Sequence, residues 1–189
     1  AIYSDNSERK RDELALRHRA HHDPLTNPPN RALGLDRLSH ALATAHRARS
    51  MVAIMFVDLD GFKPVNDMLG HQAGDDLLCQ VARRMESCIR ESDTVYRYGG
   101  DEFVIIISDV TSDDAASKVA NNVLSAIALP FEIGKRSVAI SASIGIAFYP
   151  LHGGDASSLV QVADAAMYDA KRSGKNSVKI APQKKTDAA

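Results

Sequence analysis

The chain has 189 residues, of which 44% are hydrophobic, and these numbers predict one domain with a sizeable core. Its formal net charge is −1, which argues against nucleic acid or an anionic membrane surface as a partner. No apolar run is long enough to cross a bilayer, so we expect no direct membrane contact by this chain. The two cysteines lack metal-ligand spacing and indicate reduced, buried thiols, which favours a cytoplasmic location.

The chain begins with Ala1 in a polar, charged stretch, and we expect it to be a piece of a longer protein. That protein would be cytoplasmic, or membrane-attached with this piece on the cytoplasmic side. Residues 1–22 predict a helical linker that carries a signal from an upstream domain, and Asp23-Pro24 ends it. Near the end of this linker lie three histidines, which we interpret as helix-end charge rather than as a metal cluster: His18, His21 and His22.

A polar loop over 23–31 follows, and Asn30 predicts the N-cap of a helix over about 31–49. The nearly continuous apolar run 51–57 predicts a buried central strand that ends at Asp58-Leu59-Asp60-Gly61. The remaining segments alternate between helical and strand spacing. In chain order they are a helical stretch over 63–90 broken near Gly70 and Gly74, a hairpin over 94–108, a helix over 113–128, a strand over 138–148, a helix over 156–172 and a flexible polar tail over 181–189.

From residue 51 to residue 148 the predicted order is strand, helix, strand, strand, helix, strand. This order is the split βαβ, ferredoxin-like arrangement. We therefore predict an α+β fold with a central antiparallel sheet flanked by helices, the core plan of palm domains and nucleotide cyclases. Analogy of fold does not by itself settle a function.

The hairpin carries the strongest chemical signal in the chain. Gly99 and Gly100 separate two strand-like runs and predict a tip with positive φ at both positions. Asp101 and Glu102 follow directly, and the strand order places Asp58 beside them. Three carboxylates on two rigid strands suit Mg²⁺, which prefers oxygen ligands. For Asp58 or Asp60 taken alone, a solvated turn or a helix cap is the alternative interpretation.

These segments together resemble the GGDEF family, the diguanylate cyclases. Gly99 to Phe103 match the signature of that family letter for letter. Three further segments are similar to its FxDxDxFKxxND, GHxxGD and AKxxGRN motifs, in that order: 56–67, 70–75 and 170–176. The resemblance covers about 23–180, and it predicts a catalytic GGDEF domain over those residues.

The resemblance implies that two GTP molecules condense into cyclic di-GMP with release of two pyrophosphates, with Mg²⁺ or Mn²⁺ as cofactor. Asp101 and Glu102 would be catalytic, and the metal would be held by Asp58, the Leu59 carbonyl, Asp101 and Glu102. The substrate would be bound by Phe62, Lys63, Asn66, His71, Asp75, Gly99, Gly100, Lys171 and Lys175. Each domain would hold one GTP, so catalysis would require a homodimer.

Within that set, Asn66 and Asp75 would read guanine, because a carboxylate accepts from the N1–H and N2–H₂ donors of the base. A cyclase acting on adenine is a weaker alternative, since Asp75 would then face another acceptor. Lys171 and Lys175 would grip phosphates, and a basic helix end is the alternative for both. For His71, a solvated histidine at a helix start is the alternative.

Arg90 and Asp93 match the RxxD motif that binds cyclic di-GMP as an inhibitory product site in this family. A surface ion pair is the alternative interpretation. The family commonly has Gly-Leu where this chain has Asn27-Pro28, which alters the loop beside the nucleotide and leaves the metal ligands untouched. A second hypothesis for the whole domain is a catalytically silent one that binds GTP or cyclic di-GMP and regulates an attached domain.

Overall fold

The computed structural model describes residues 18–183. Residues 18–21 are helical, and five longer helices follow in chain order: α1 (Arg31–Ala48), α2 (Phe62–Leu69), α3 (His71–Ser87), α4 (Asp113–Ala128) and α5 (Ala156–Arg172). The strands are β1 (Met51–Asp60), β2 (Thr94–Gly99), β3 (Glu102–Val110), β4 (Phe131–Ile133), β5 (Arg136–Val138), β6 (Ser141–Tyr149) and β7 (Ser177–Ile180). Across residues 18–183, no helix has the length and apolar character that a bilayer crossing requires.

The main sheet has five strands in the order β2-β3-β1-β6-β7, and β4 and β5 form a separate small hairpin. Strand β1 is central and pairs antiparallel with both β3 and β6. These pairings confirm the split βαβ arrangement and the α+β fold class. The last strand, β7, pairs parallel to β6, so the sheet is mixed at that edge.

Helices cover both faces of the sheet, and residue alternation along β1 explains how. Ala53, Met55 and Val57 face a core cluster built with α3 and α4. Val52, Ile54 and Phe56 face a second cluster built with α1 and α5. The next even-numbered positions on β1 are Asp58 and Asp60, so the same alternation places both carboxylates on the α5 face.

Several predicted boundaries are correct because local signals set them. Asn30 caps α1, and its side chain accepts a hydrogen bond from the Leu33 N–H. The predicted helical break occurs at Gly70, whose φ is 87°. The predicted break at Gly74 is wrong, because α3 continues through it. A Cβ at that position would lie 2.4 Å from Asn66 Oδ1, so glycine there serves the contact between α2 and α3.

Strand β1 ends at Asp60, within the predicted segment Asp58 to Gly61. One other prediction needs correction. The predicted strand over 138–148 is two strands, because β5 ends at Val138 and β6 begins at Ser141. Cys79 and Cys88 are free, as predicted, but each is only half-buried.

Beneath α1, Tyr96 and Gly34 are matched in shape. Tyr96 is fully buried, and a Cβ at Gly34 would lie only 2.2 Å from its ring. Glycine in α1 therefore makes room for the aromatic ring. The Tyr96 hydroxyl is buried without a hydrogen-bond partner among the residues described.

Candidate active site

The acids of β1 and β3 lie side by side at one end of the sheet. Asp58 is the direct cross-strand partner of Glu102, and the Leu59 N–H donates to the Asp101 carbonyl over 3.3 Å. Directly paired residues project on the same face of a sheet. The fold therefore places Asp58 and Glu102 on one face, and the charge of Asp101 in the adjoining turn acts on both of them.

Burial and mutual repulsion shape the electrostatics of these acids. Burial raises the pKa of Asp58, Lys171 opposes that rise, and Asp101 and Asp60 add to it. Burial also raises the pKa of Glu102, with further increases from Asp58, Asp164 and Asp101. Clustered carboxylates of this kind are typical of a functional site, because they gain most when a cation shares them.

The hairpin tip differs from its prediction in one respect. The connecting residues are Gly100 and Asp101, and only Gly100 has a positive φ, of 53°. At Gly99, φ does not fall in the left-handed region and an added Cβ would have no atom within 4 Å. Nothing within the described protein therefore requires glycine at Gly99. The pair leaves bare, exposed backbone beside the acids.

Lys171, near the end of α5, reaches back to the acids. Its Nζ lies 2.7 Å from Asp58 Oδ2. The predicted phosphate-gripping lysine therefore makes an ion pair with a predicted metal ligand. Lys175 follows in a left-handed turn with φ 63° and is exposed. Lys171 therefore contacts the acids. Within the described part of the chain, Lys175 forms no ion pair with them.

Asp60 plays a structural role that sequence reasoning missed. Its buried carboxylate accepts from the hydroxyls of Ser141 and Ser143 and from the Asn176 N–H over 3.1 Å. Asp60 thereby ties the turn after α5 to the central strand. Asp58 and Asp60 are two residues apart on a strand, and this spacing could have predicted that both side chains lie on the same face of β1.

Arg97 is a second residue that sequence reasoning missed. Its Nη1 donates to Asp23 Oδ1 over 3.0 Å, and its Nε and Nη2 donate to the Gly100 carbonyl over 3.0 and 2.7 Å. The Arg97 N–H also donates to the Pro29 carbonyl. Arg97 thus joins the loop over 23–31 to the hairpin tip. Its position two residues before a glycine tip was the only local signal.

The predicted guanine-reading residues lie on α2 and α3. Asn66 Nδ2 lies 3.1 Å from His71 Nδ1, and Asp75 is exposed one turn after His71 on α3. Phe62 is partly buried against the same core cluster as Leu25. Lys63 is exposed in the first turn of α2, close in sequence to the acidic end of β1. The fold thus gathers Asn66 and His71, with Asp75 on the same side of α3.

Arg90 and Asp93 lie at the other end of β2, roughly 17 Å from the tip at about 3.4 Å per residue. The Asp93 carboxylate accepts from the backbone N–H groups of Arg90 and Ser108. Within residues 18–183 the two side chains form no ion pair, and the Asp93 carboxylate binds backbone donors instead. Both residues line a cavity of about 160 Å³.

The loop that departs from the family pattern keeps its turn. Asn27 has φ 77°, as asparagine tolerates. His22 Nδ1 donates to the Asn27 carbonyl over 2.7 Å, His18 Nε2 donates to Asn27 Oδ1 over 3.0 Å, and the two imidazoles stack. These histidines therefore hold the loop, which is a different role from the helix-end charge that we predicted.

The oxygen donors at the acidic end suit a divalent cation. Among residues 18–183, no three His, Cys, Asp or Glu side chains already gather closely enough to hold an ion. The side chains of Asp58 and Glu102 nevertheless share a face, and hard carboxylate oxygens are what Mg²⁺ and Mn²⁺ prefer. Such a donor set fits a cation that brings further ligands of its own.

The fold and this site define a nucleotide-cyclase-like class of domain. A family model described as "Diguanylate cyclase, GGDEF domain" matches residues 20–177. The chain belongs to this GGDEF family, as its motifs predicted.

The chain is similar to two curated proteins of Pseudomonas aeruginosa. It is 44% identical over 175 residues to "Diguanylate cyclase TpbB", and the aligned region covers 92% of this chain and 40% of TpbB. It is 48% identical over 155 residues to "Bifunctional diguanylate cyclase/cyclic di-GMP phosphodiesterase MucR", and the aligned region covers 82% of this chain and 22% of MucR. The chain thus spans less than half the length of either relative.

Two solved structures are similar in fold. The GGDEF domain of TpbB has a TM-score of 0.83 and 42% identity, covering 86% of this chain and 95% of that one. The coiled coil and GGDEF domain of DgcB from Caulobacter crescentus, in complex with cyclic di-GMP, has a TM-score of 0.85 and 29% identity, covering 95% of each chain. Both similarities confirm the fold class.

Proposed function

We propose that this domain is an active diguanylate cyclase that condenses two GTP molecules into cyclic di-GMP. In each half-reaction a 3′-hydroxyl oxygen bonds to the α-phosphorus of the other GTP, the bond from that phosphorus to the β-phosphate oxygen breaks, and pyrophosphate leaves. The observation that carries the proposal is the pairing of Asp58 with Glu102 beside the bare backbone of Gly99 and Gly100.

Each residue then has a role that its position supports. Asp58, the Leu59 carbonyl, Asp101 and Glu102 would hold Mg²⁺ or Mn²⁺, which supplies Lewis-acid activation and charge neutralisation when bound. Asp101 would accept the proton of the attacking hydroxyl, because it lies at the tip where backbone is exposed. Lys63, Lys171 and Lys175 would neutralise the triphosphate.

Base selection would fall to α2 and α3. The carboxylate of Asp75 would accept from the guanine N1–H and N2–H₂, and Asn66, held beside His71, would meet the remaining edge of the base. Phe62 would supply an apolar wall. The substrate is therefore GTP in this proposal.

The reaction requires two copies of the domain, because each copy offers one set of acids and one set of base-reading residues. A homodimer, at least a transient one, would bring two bound GTP molecules together. The product would inhibit by binding at Arg90 and Asp93, away from the tip. The complex of DgcB with cyclic di-GMP supports binding of this product by a similar fold.

A second candidate function has its own support. The relative MucR bears a name that joins cyclase and phosphodiesterase activities in one protein, and this chain spans 22% of it. A silent domain that binds GTP or cyclic di-GMP and regulates an attached domain would suit such an architecture. The complete set of acids in this chain favours the active cyclase.

Incubation of the protein with GTP and Mg²⁺, followed by chromatography, tests the proposal. We expect cyclic di-GMP and pyrophosphate in a ratio of about one to two, with a specific rate that rises with protein concentration. GTP binding without product over a wide concentration range would favour the silent domain. Product at a specific rate independent of concentration, from protein that sediments as a monomer over the same range, would remove the homodimer from the proposal.

A further inference from the structure

The contact between Lys171 and Asp58 joins two groups that the proposed function assigns to different ligands. Lys171 would serve the triphosphate and Asp58 the cation, yet Nζ and Oδ2 lie 2.7 Å apart. The Asp58 side chain is 10% exposed and that of Lys171 is 30% exposed, so solvent screens this pair only in part.

A divalent cation and this ammonium compete for the same carboxylate oxygen, Asp58 Oδ2. Mg²⁺ binds oxygen at about 2.0–2.1 Å. A cation at Asp58 Oδ2 would lie within a few ångströms of Nζ, where like charges repel strongly in a half-buried site. Lys171 must therefore leave Oδ2 before a cation binds that oxygen.

Lys171 is built to move in this way. It is the second-last residue of α5, and its flexible four-carbon stem can rotate without disturbing the helix. The segment that follows is anchored separately by the Asn176 N–H on Asp60. An ammonium released from Asp58 needs another anion nearby, and a triphosphate at the hairpin tip would provide one.

We infer that Lys171 acts as the resident counter-ion of Asp58 and makes cation binding depend on a polyphosphate. The cation and the nucleotide triphosphate then enter as one species, and neither occupies the site well alone. This inference rests on the proposed function, since it takes GTP with its divalent cation as the ligand.

A titration without nucleotide tests the inference. Free Mn²⁺ is followed by electron paramagnetic resonance as it is added to the wild-type protein and to Lys171→Met. We expect Lys171→Met to bind Mn²⁺ about tenfold more tightly or better, because a positive charge beside the carboxylate is removed. The double variant Lys171→Met with Asp58→Asn should lose that gain, which places the cation at Asp58.

Two further variants separate charge from shape. Arg172→Met removes a positive charge from the exposed next residue, which forms no ion pair with Asp58 among residues 18–183, and it should bind Mn²⁺ like the wild type. Lys171→Arg keeps the charge and should also bind weakly. Thermal unfolding checks that each variant is folded, and Lys171→Gln replaces Lys171→Met if the latter is not.

Addition of a non-hydrolysable GTP analogue completes the experiment, with the analogue and Mn²⁺ without protein as the reference, because a triphosphate itself binds Mn²⁺. The wild type should then bind Mn²⁺ tightly, and the advantage of Lys171→Met should vanish or reverse. Mn²⁺ binding to Lys171→Met that is no tighter than to the wild type, or undetectable in both, would overturn the inference. The first titration contains no substrate. If the protein makes no cyclic di-GMP, the proposed function is refuted, but the Mn²⁺ titration still shows whether Lys171 competes with the cation.

Discussion

Arg97 and Asp23 connect the start of the described domain to its acidic hairpin. The guanidinium donates to the Asp23 carboxylate over 3.0 Å and, through its other N–H groups, to the Gly100 carbonyl. Both side chains are largely buried, at 14% and 18% exposure. Asp23 also accepts from Thr26, so one carboxylate organises both the loop and the arginine.

This arrangement predicts a pH-dependent contribution of Asp23 to stability. Burial raises the pKa of Asp23, but the hydrogen bonds from Thr26 and Arg97 outweigh it and hold the pKa below the ordinary 3.8. Because the folded state binds the proton less readily than the unfolded state, the contribution is complete above that ordinary value and is lost as pH falls through the lower folded pKa. Asp23→Asn should therefore cost about 1–2 kcal/mol at neutral pH and less at about pH 3.

Urea unfolding at the two pH values measures this difference. Asp36→Asn is the matched control, because the Asp36 side chain is 63% exposed and lies 3.8 Å from the exposed His40. That substitution should change stability by less than about 0.5 kcal/mol. A cost of Asp23→Asn that does not shrink in acid would contradict the role of charge at this carboxylate.

Asp101→Ala should lower the rate of cyclic di-GMP formation by about 10² or more, since it removes a metal ligand and the proposed base. Asp109→Asn is the control, because Asp109 lies at the far end of β3, where its carboxylate accepts from the Ser50 hydroxyl. The control should retain the wild-type rate. An active Asp101→Ala would mean that the hairpin acids are not the catalytic site.

Base choice should depend on Asp75. The wild type should prefer GTP over ATP by about 10³ or more, because a carboxylate that faces an acceptor instead of two donors loses its hydrogen bonds. Asp75→Asn should narrow that preference, and calorimetry with both nucleotides measures it. Asp76→Asn alters the neighbouring carboxylate, which interacts with Gln80, and should leave the preference intact. Equal binding of GTP and ATP by the wild type would refute the assignment.

Arg90 and Asp93 should behave differently when substituted. Arg90→Ala should weaken cyclic di-GMP binding while GTP affinity stays nearly unchanged, and reaction progress curves should lose their early plateau. Asp93→Ala should instead destabilise the fold by about 1–3 kcal/mol, because two backbone N–H groups lose their acceptor. Arg90→Ala that binds cyclic di-GMP as tightly as the wild type would exclude this location as the product site.

Tyr96→Phe should stabilise the protein by about 1 kcal/mol, because it removes a buried hydroxyl that finds no hydrogen-bond partner among residues 18–183. Tyr98→Phe, at the half-buried neighbour, should fall within about 0.5 kcal/mol of the wild type. Thermal and urea unfolding measure both changes. A loss of stability in Tyr96→Phe would indicate that the hydroxyl makes a stabilising contact.

The helices, the central strand and the pairing of Asp58 with Glu102 could be predicted because period, caps and strand order are local or topological signals. The hairpin of β4 and β5 had such a signal in its apolar residues around Gly134-Lys135, and it was missed. Strand β7 offered little signal, since its four residues include Ser177 and Lys179.

Polar contacts between distant segments were beyond prediction. The spacing of hydrophobic residues predicts which side chains are buried, but it does not predict which charged side chains contact each other. The pairs Lys171–Asp58 and Arg97–Asp23, and the three donors to Asp60, each join elements far apart in the chain. Such contacts are set by how the elements pack, so only three-dimensional placement reveals them.

The first described residues lie beside one edge strand of the sheet, and the last strand of the chain forms the opposite edge. The loop over 23–31 meets β2, the first edge strand, through the Pro29 carbonyl, and β7 is the opposite edge and runs away from the acids. A mechanical displacement of the incoming segment would thus reach the hairpin tip through one arginine. Ala181 is still buried and its N–H donates to the Ile146 carbonyl, so a label or tag belongs after Gln183, on the side of the domain away from the acids, where it is the better handle for single-molecule work.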